Sequence, residues 1–287
     1  MLLPLILISA ALNVHAVAPD VIYGEDNRVD TVESRSAFHK QLAAGTAAQI
    51  LRADIPILRA GKGTFEGQIL NDFIKMKYGP DLCDGERFKE QVAFANCSGF
   101  LVAPDILVSA GHCFQANECE SHDWVFNYKT AKADDLTVTI NEEDIYSCDH
   151  VISMKAPRRS GDQDYAVIKL MKKVKGVKPL KVARATPGVG TPLVLIGHPS
   201  GLPQKIADGA TVKKMISTGF EANVDAFGGN SGSAVFNERT GEVVGILVNG
   251  EEDYSLDSAQ GCMKPAYLSQ DKGGEGVSGV EQFLPHL

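Results

Sequence analysis

From Gln91 onward the chain is a succession of short runs rich in β-branched and aromatic residues, split by turn residues. That pattern predicts half-buried strands rather than long helices. Phe100, Val102, Ile106 and Val108 flank Ala103-Pro104-Asp105, which predicts a hairpin with a proline-containing turn. Runs at 124–128, 136–140 and 165–170 follow, and strands at this spacing predict a first antiparallel barrel. A second set lies at 177–182, 192–196, 206–213, 233–237 and 241–248, the last two joined by the turn Asn237-Glu-Arg-Thr-Gly241. Helical spacing is weak in the Ala-rich stretch 38–51, while 69–76 predicts one short helix and 277–284 a short C-terminal one.

Composition narrows the class. A length of 287 residues allows one large domain or two small ones, and 44% hydrophobic with 22% charged residues is enough for a real core. The net charge of −8 argues against nucleic acid or an anionic membrane as partner. The lysines between Lys169 and Lys181 read as a solvated face. At the start, an apolar run to Leu12 and the small-x-small pattern Val14-His15-Ala16 predict a signal peptide cleaved near Ala16, although its first residues lack Lys and Arg. No other stretch is long enough to span a bilayer, so no membrane insertion is expected. Six cysteines agree with an oxidising, secreted or periplasmic setting. Cys113, Cys119 and His122 lack the paired short spacing of a zinc site, so neither metal nor cofactor is expected.

The candidate chemistry centres on Phe227-Gly-Gly-Asn-Ser-Gly-Ser-Ala234. Glycines around Ser231 clear side chains from the backbone, so N–H groups could approach a substrate oxyanion beside an exposed hydroxyl. The same residues also compose ordinary tight turns. A nucleophilic serine needs a base and an orienting acid. Upstream stand Ser109-Ala-Gly-His112-Cys113 and, between the two, Asp162-Gln-Asp164-Tyr-Ala-Val-Ile-Lys-Leu170.

These three stretches resemble the chymotrypsin-like (trypsin-fold) serine peptidases, and Gly229-Asn-Ser-Gly-Ser233 is similar to the serine motif of their bacterial, glutamyl-endopeptidase-like branch. The order His, Asp, Ser fits this family and not the subtilisin or α/β-hydrolase orders. The resemblance covers Gln91 to Gly250. It implies an all-β fold of two antiparallel six-stranded barrels with a cleft between them and a short C-terminal helix. It implies a monomeric secreted endopeptidase acting on protein or peptide substrates. Ser231 would be nucleophile, His112 general base, Asp164 the residue orienting it, and the N–H groups of Gly229 and Ser231 the oxyanion hole. It also implies a disulfide between Cys97 and Cys113 around the histidine loop. Cys83, Cys119, Cys148 and Cys262 then remain, with three pairings open.

Other positions divide by context. Asp162 reads as solvated, His198 as structural within a Gly/Pro turn, and His39, His122, His150 and His286 as surface residues. Asn230 stands where the animal enzymes carry the Asp that pairs with a new N-terminal amine, so that switch is not expected. Asp225, six residues before Ser231, matches the pocket-base position of trypsins and would favour Lys or Arg. Leu247 replaces the histidine of glutamyl-specific enzymes, and Val248, Asn249 and Gly250 are the expected pocket wall. The domain reading is a signal peptide at 1–16, an N-terminal segment 17–90 as propeptide or elaborated lead-in, and a peptidase domain 91–272. Within that domain the first barrel runs to about residue 175, and a tail with the short helix follows at 273–287. Two competing functions are a non-catalytic binding protein on the same fold and an α/β-hydrolase esterase. The second fails because Ser233 replaces the last glycine of Gly-x-Ser-x-Gly and strand–helix alternation is missing.

Overall fold

Twelve strands close into two antiparallel barrels of six in the computed structural model, which describes residues 22–114, 118–157, 159, 161–250 and 252–287. The expected signal peptide at 1–16 lies outside the described residues. The first barrel consists of β1 (Thr46–Leu51), β2 (Ala95–Ala103), β3 (Ile106–Ser109), β4 (His122–Phe126), β5 (Ile145–Lys155) and β6 (Tyr165–Leu170). Around its circumference the order is β6-β3-β2-β1-β4-β5, closed by pairing of β5 with β6. The second barrel consists of β7 (Pro192–Gly197), β8 (Lys205–Ile216), β9 (Gly219–Ala222), β10 (Ala234–Asn237), β11 (Val243–Asn249) and β12 (Glu275–Gly279). Its order is β7-β10-β11-β12-β9-β8, closed by β7 with β8.

The predicted hairpin at Pro104 is β2–β3, and the second-barrel runs from Pro192 onward are strands β7, β8, β10 and β11. Four expectations need correction. Residues 177–182 make only an isolated bridge, Val182 to Val243. Pro179 has no N–H to give a ladder, and Leu180 instead donates one backbone bond to Leu101. The run at 136–140 becomes the strand Val138–Asn141, which pairs with Lys62–Phe65 outside the barrel. The Ala-rich stretch splits: Ser36 caps a helix at Ala37–Ala43, its Oγ accepting from His39 N, and the chain then becomes β1. Finally, 277–279 belong to strand β12 of the second barrel, so the C-terminal helix begins after Gly279 as two 3-10 turns, Val280–Gln282 and Leu284–His286.

These placements also move the domain boundaries. β1 sits between β2 and β4, and Arg28–Asp30 adds to the edge of β8. Residues 28–30 and 46–51, before Gln91, and 275–279, after 272, therefore pair into the barrels' sheets. Removing β1 would leave the facing edges of β2 and β4 unpaired.

One apolar core fills the first barrel and runs on to Val194, Phe236 and Ile246 of the second. Phe220, Val224 and Leu195 lie in a second core inside the second barrel. A third cluster joins Leu70 and Ile74 of the helix Leu70–Tyr78 to Ile22, Leu202, Phe227 and Tyr254. This cluster braces the turn before Ser231 with residues from the lead-in segment. Three disulfides, Cys83–Cys262, Cys97–Cys113 and Cys119–Cys148, use all six cysteines. No helix among the described residues is long and apolar enough to cross a membrane.

Candidate active site

β6 begins one residue after Asp164, and the buried apolar residues behind it fix that carboxylate in place. Asp164 is 2% exposed. Its Oδ1 accepts the backbone N–H groups of Gly111 at 2.6 Å and His112 at 3.1 Å, and its Oδ2 lies 2.6 Å from His112 Nδ1. An ionised carboxylate only accepts, so the imidazole proton belongs on Nδ1 and the lone pair on Nε2. Gly111 has no room for a side chain, since a Cβ there would fall 1.8 Å from Lys155 O. A backbone so close to β5 is what lets the 3-10 turn Gly111–Cys113 aim both N–H groups at Asp164.

Ser231 belongs to a turn held from the opposite barrel. Ser98 N donates to Ser231 O at 2.8 Å, and Ser98 Oγ donates to Gly229 O at 2.9 Å. The Cys113 sulfur of the Cys97–Cys113 disulfide lies 3.8 Å from Ser231 O, which sets the His112 turn beside the Ser231 turn. Gly229 (φ 92°) and Gly232 (φ 88°) are left-handed, and Cβ atoms there would fall 2.6 Å from His198 O and 2.0 Å from Ser98 O. Only glycine allows both the conformation and the approach. Asn230 is 1% exposed and its Oδ1 accepts from Ser233 Oγ. Among the described residues, the N–H groups of Gly229 and Ser231 have no acceptor, and Ser231 Oγ has no hydrogen bond to His112. Catalytic bonds of this type commonly tighten only when substrate binds.

Two cavities meet here. One of about 570 Å³ is lined by His112, Asp164, Val248, Asn249 and residues of β8 and β12. The other, about 220 Å³, is lined by Ser231, Gly228, Asn249, Gly250, Asp253 and Glu275 among others. The predicted wall residues Val248, Asn249 and Gly250 therefore lie on the cleft. Asp225 does not. Its Oδ1 accepts from Tyr23 N at 2.8 Å and its Oδ2 from Asn27 N at 2.9 Å, so it fastens the N-terminal segment and forms no pocket floor. Burial raises its pKa to about 6, opposed by those two backbone bonds.

Sequence reasoning missed Ser98, Asp253 and Glu275. Ser98 was visible inside Cys97-Ser98-Gly99, but nothing there signals a clamp across 131 residues to Gly229. His198 is structural as expected: it is buried, its Nδ1 lies 3.2 Å from Leu202 O, and burial lowers its pKa to about 3. His39 is buried rather than surface, packed as part of the capped helix. The disulfides also take the sulfurs that a zinc reading of Cys113, Cys119 and His122 would need.

The sequence from residue 97 to 246 matches the family described as the trypsin-like peptidase domain. Among solved structures, a Glu endopeptidase in complex with MPD shares the fold, at 16% identity over 93% of this chain and 97% of that one, with a TM-score of 0.51. The VesB protease of Vibrio cholerae aligns at 13% identity over 90% of this chain and 65% of that one, with a TM-score of 0.49. No curated protein sequence matches the chain.

Proposed function

Because the chain belongs to the trypsin-like peptidase domain family, we propose that it is a secreted serine endopeptidase that cleaves peptide bonds through an acyl-enzyme. The observation that carries this is the Asp164–His112 pair, with Nδ1 tied to a buried carboxylate and Nε2 left on the cleft that Ser231 adjoins. His112 Nε2 takes the Ser231 proton as Oγ bonds to the scissile carbonyl carbon. The oxyanion accepts from Gly229 N–H and Ser231 N–H. The C–N bond then breaks, the proton passes to the leaving amine, and water repeats the sequence on the ester. Asp164 keeps the tautomer and stabilises the imidazolium. The pre-formed donors at Gly229 and Ser231 are each expected to contribute on the order of 3 kcal/mol to the transition state.

Three disulfides support an oxidising destination, which fits removal of the apolar leader near Ala16. The pairing of β1 and of Arg28–Asp30 into the barrels supports retention of the lead-in segment in the mature enzyme.

The test is labelling of the purified protein by a fluorophosphonate, followed by turnover of an ester and a peptide. Wild type should label at Ser231. Ser231→Ala and His112→Ala should each lose turnover by a factor on the order of a million, and Asp164→Asn by roughly ten-thousand-fold, as in comparable triads. Absence of labelling in folded wild type, or a tenth of activity surviving in Ser231→Ala, would overturn the proposal in favour of a non-catalytic trypsin-fold protein.

A further inference from the structure

The oxyanion donor proposed at Gly229 sits in a turn that segments far away in the chain hold. Phe227-Gly-Gly-Asn230 closes with Asn230 N donating to Phe227 O at 2.9 Å, and Gly229 stands at φ 92°. A positive φ at that third position marks a type II turn. Turning the central peptide over gives a type I turn, which a Gly-Gly pair also accepts. That peptide carries the Gly228 C=O on one edge and the Gly229 N–H on the other. In the sense observed, the N–H has no acceptor among the described residues and is available to an oxyanion. In the reverse sense a carbonyl oxygen would take its place and repel the same charge.

What grips Gly228 sets that sense. Its carbonyl accepts from Ser200 N at 2.5 Å. Ser200 is a buried non-glycine residue at φ 52°, a conformation that its surroundings must hold, and its Oγ lies 2.8 Å from Tyr254 OH. On the other side the Gly228 N–H donates to both carboxylate oxygens of Asp253, each at 3.0 Å. Asp253 is 7% exposed, and Lys77 Nζ reaches its Oδ2 at 3.5 Å from the helix Leu70–Tyr78. Burial raises the pKa of the Asp253 carboxyl, while Lys77 and the Gly228 N–H oppose that rise. A protonated carboxyl is a poorer acceptor, so the lysine favours the form that holds Gly228. Lys77 itself lines neither cavity of the site.

We propose that Asp253 is a positioning residue for the reaction. With Lys77 as its charge partner, it fixes the Gly228–Gly229 peptide so that the Gly229 N–H faces the oxyanion. Both residues act through Gly228, and the helix of the lead-in segment thereby takes part in catalysis. The proposal rests on the reading of Ser231 as nucleophile. An oxyanion is met only in the transition state, so loosening its donor lowers kcat and leaves KM nearly as it was.

The test uses the full chain and two readouts: kcat and KM for a small ester, and the rate of labelling by an alkyl fluorophosphonate, whose phosphoryl oxygen needs the same donor. Asp253→Ala should lower kcat and the labelling rate by on the order of tenfold to a hundredfold, less than outright loss of a donor. Lys77→Gln, a change on a partly exposed helical side chain, should lower both by roughly fivefold. Asp253→Asn keeps an oxygen for Gly228 without needing a cation, so it should retain more activity than Asp253→Ala. In that background Lys77→Gln should change kcat by less than about twofold. Unchanged kcat and labelling in Asp253→Ala overturn the proposal, and so does a rise in KM alone, which would make Asp253 a pocket wall only. An effect in Asp253→Ala with none in Lys77→Gln overturns the part given to the helix. In each of these cases wild type still labels and the nucleophile stands; failure of wild type to label overturns the nucleophile and the positioning role together. If Asp253→Ala does not fold, Asp253→Asn and Lys77→Gln, singly and combined, decide by the same readouts.

Discussion

Asp164 and Asp225 are both buried aspartates that accept backbone N–H groups, yet only one of them faces a histidine. Asp225 instead receives Tyr23 and Asn27, while the Arg28 guanidinium lies 3.9 Å from the Phe227 ring two residues further on. Its carboxyl is raised from 3.8 to about 6 chiefly by burial. Between those values the unfolded chain has released the proton and the folded one still holds it. The contribution of Asp225 to stability is therefore present below about pH 4 and falls as pH rises toward 6, by on the order of 2–3 kcal/mol in total. Asp225→Asn should remove that decrement: plotted against pH from 4 to 6, its unfolding free energy should decline less than that of wild type. Parallel curves would show that the carboxyl does not titrate in this window.

At the scale of elements, the strand Ile22–Tyr23 pairs in parallel with Tyr267–Leu268, and Ile22 N donates to Ala266 O. The backbone nitrogen of residue 22 is thus given to Ala266, and the Asn230 amide oxygen is already met by Ser233. Activity should not require a free α-amino group. Proteins starting at Val17 and at Val21, each with and without an N-acetyl group, should acylate a small active-site ester at equal rates; loss in every acetylated form would contradict this. The same elements show what the chain made legible. His112, Asp164 and Ser231 stood in motifs whose spacing and order carried chemistry, and β2, β3 and β6 had apolar runs between clear turns. β1 was hidden because Ala47 packs into one core and Ala48 and Ile50 into another. A strand buried on both faces does not alternate, and alanine favours the helical reading. Asp253 and Glu275 were illegible for another reason. They reach the pocket through strand pairing of β11 with β12 and through a loop, so no local pattern announces them.

Across the whole molecule, the Cys83–Cys262 bond spans 179 residues and ties the lead-in segment to the hairpin Tyr254–Asp257/Cys262–Pro265. Next to it Cys83 N donates to Met263 O, and Met263 packs with Phe227 in the cluster below the pocket. Replacing both cysteines by serine should lower stability by about 2–5 kcal/mol, read from denaturant midpoints at constant slope. It should also raise KM more than it lowers kcat, because the loosened cluster supports the pocket and not the His112–Asp164 pair. An unchanged midpoint would assign the bond no structural weight.

The two barrels also exchange pieces. Arg28–Asp30 precede the first barrel but pair with β8 of the second, where Asp30 meets the buried Lys205 at 2.6 Å. Residues 280–286 follow the second barrel but return to the first, with Phe283 edge-on to Phe100 and His286 Nε2 2.9 Å from Tyr165 OH. During synthesis, then, the first barrel waits for a cover made far later in the chain, and the strand Arg28–Asp30 waits for a partner across a similar gap. Contacts so distant in sequence make folding slow and cooperative. A chain made only through the first barrel holds His112 and Asp164 but no Ser231, and even with Ser231 emerged the strand Glu275–Gly279 of the second barrel is still to come. The cleft between the barrels is therefore completed only when the last residues of the chain have been made, so a chain cut short after Ser231 should lack both the last strand of the second barrel and the Phe283 cover of the first.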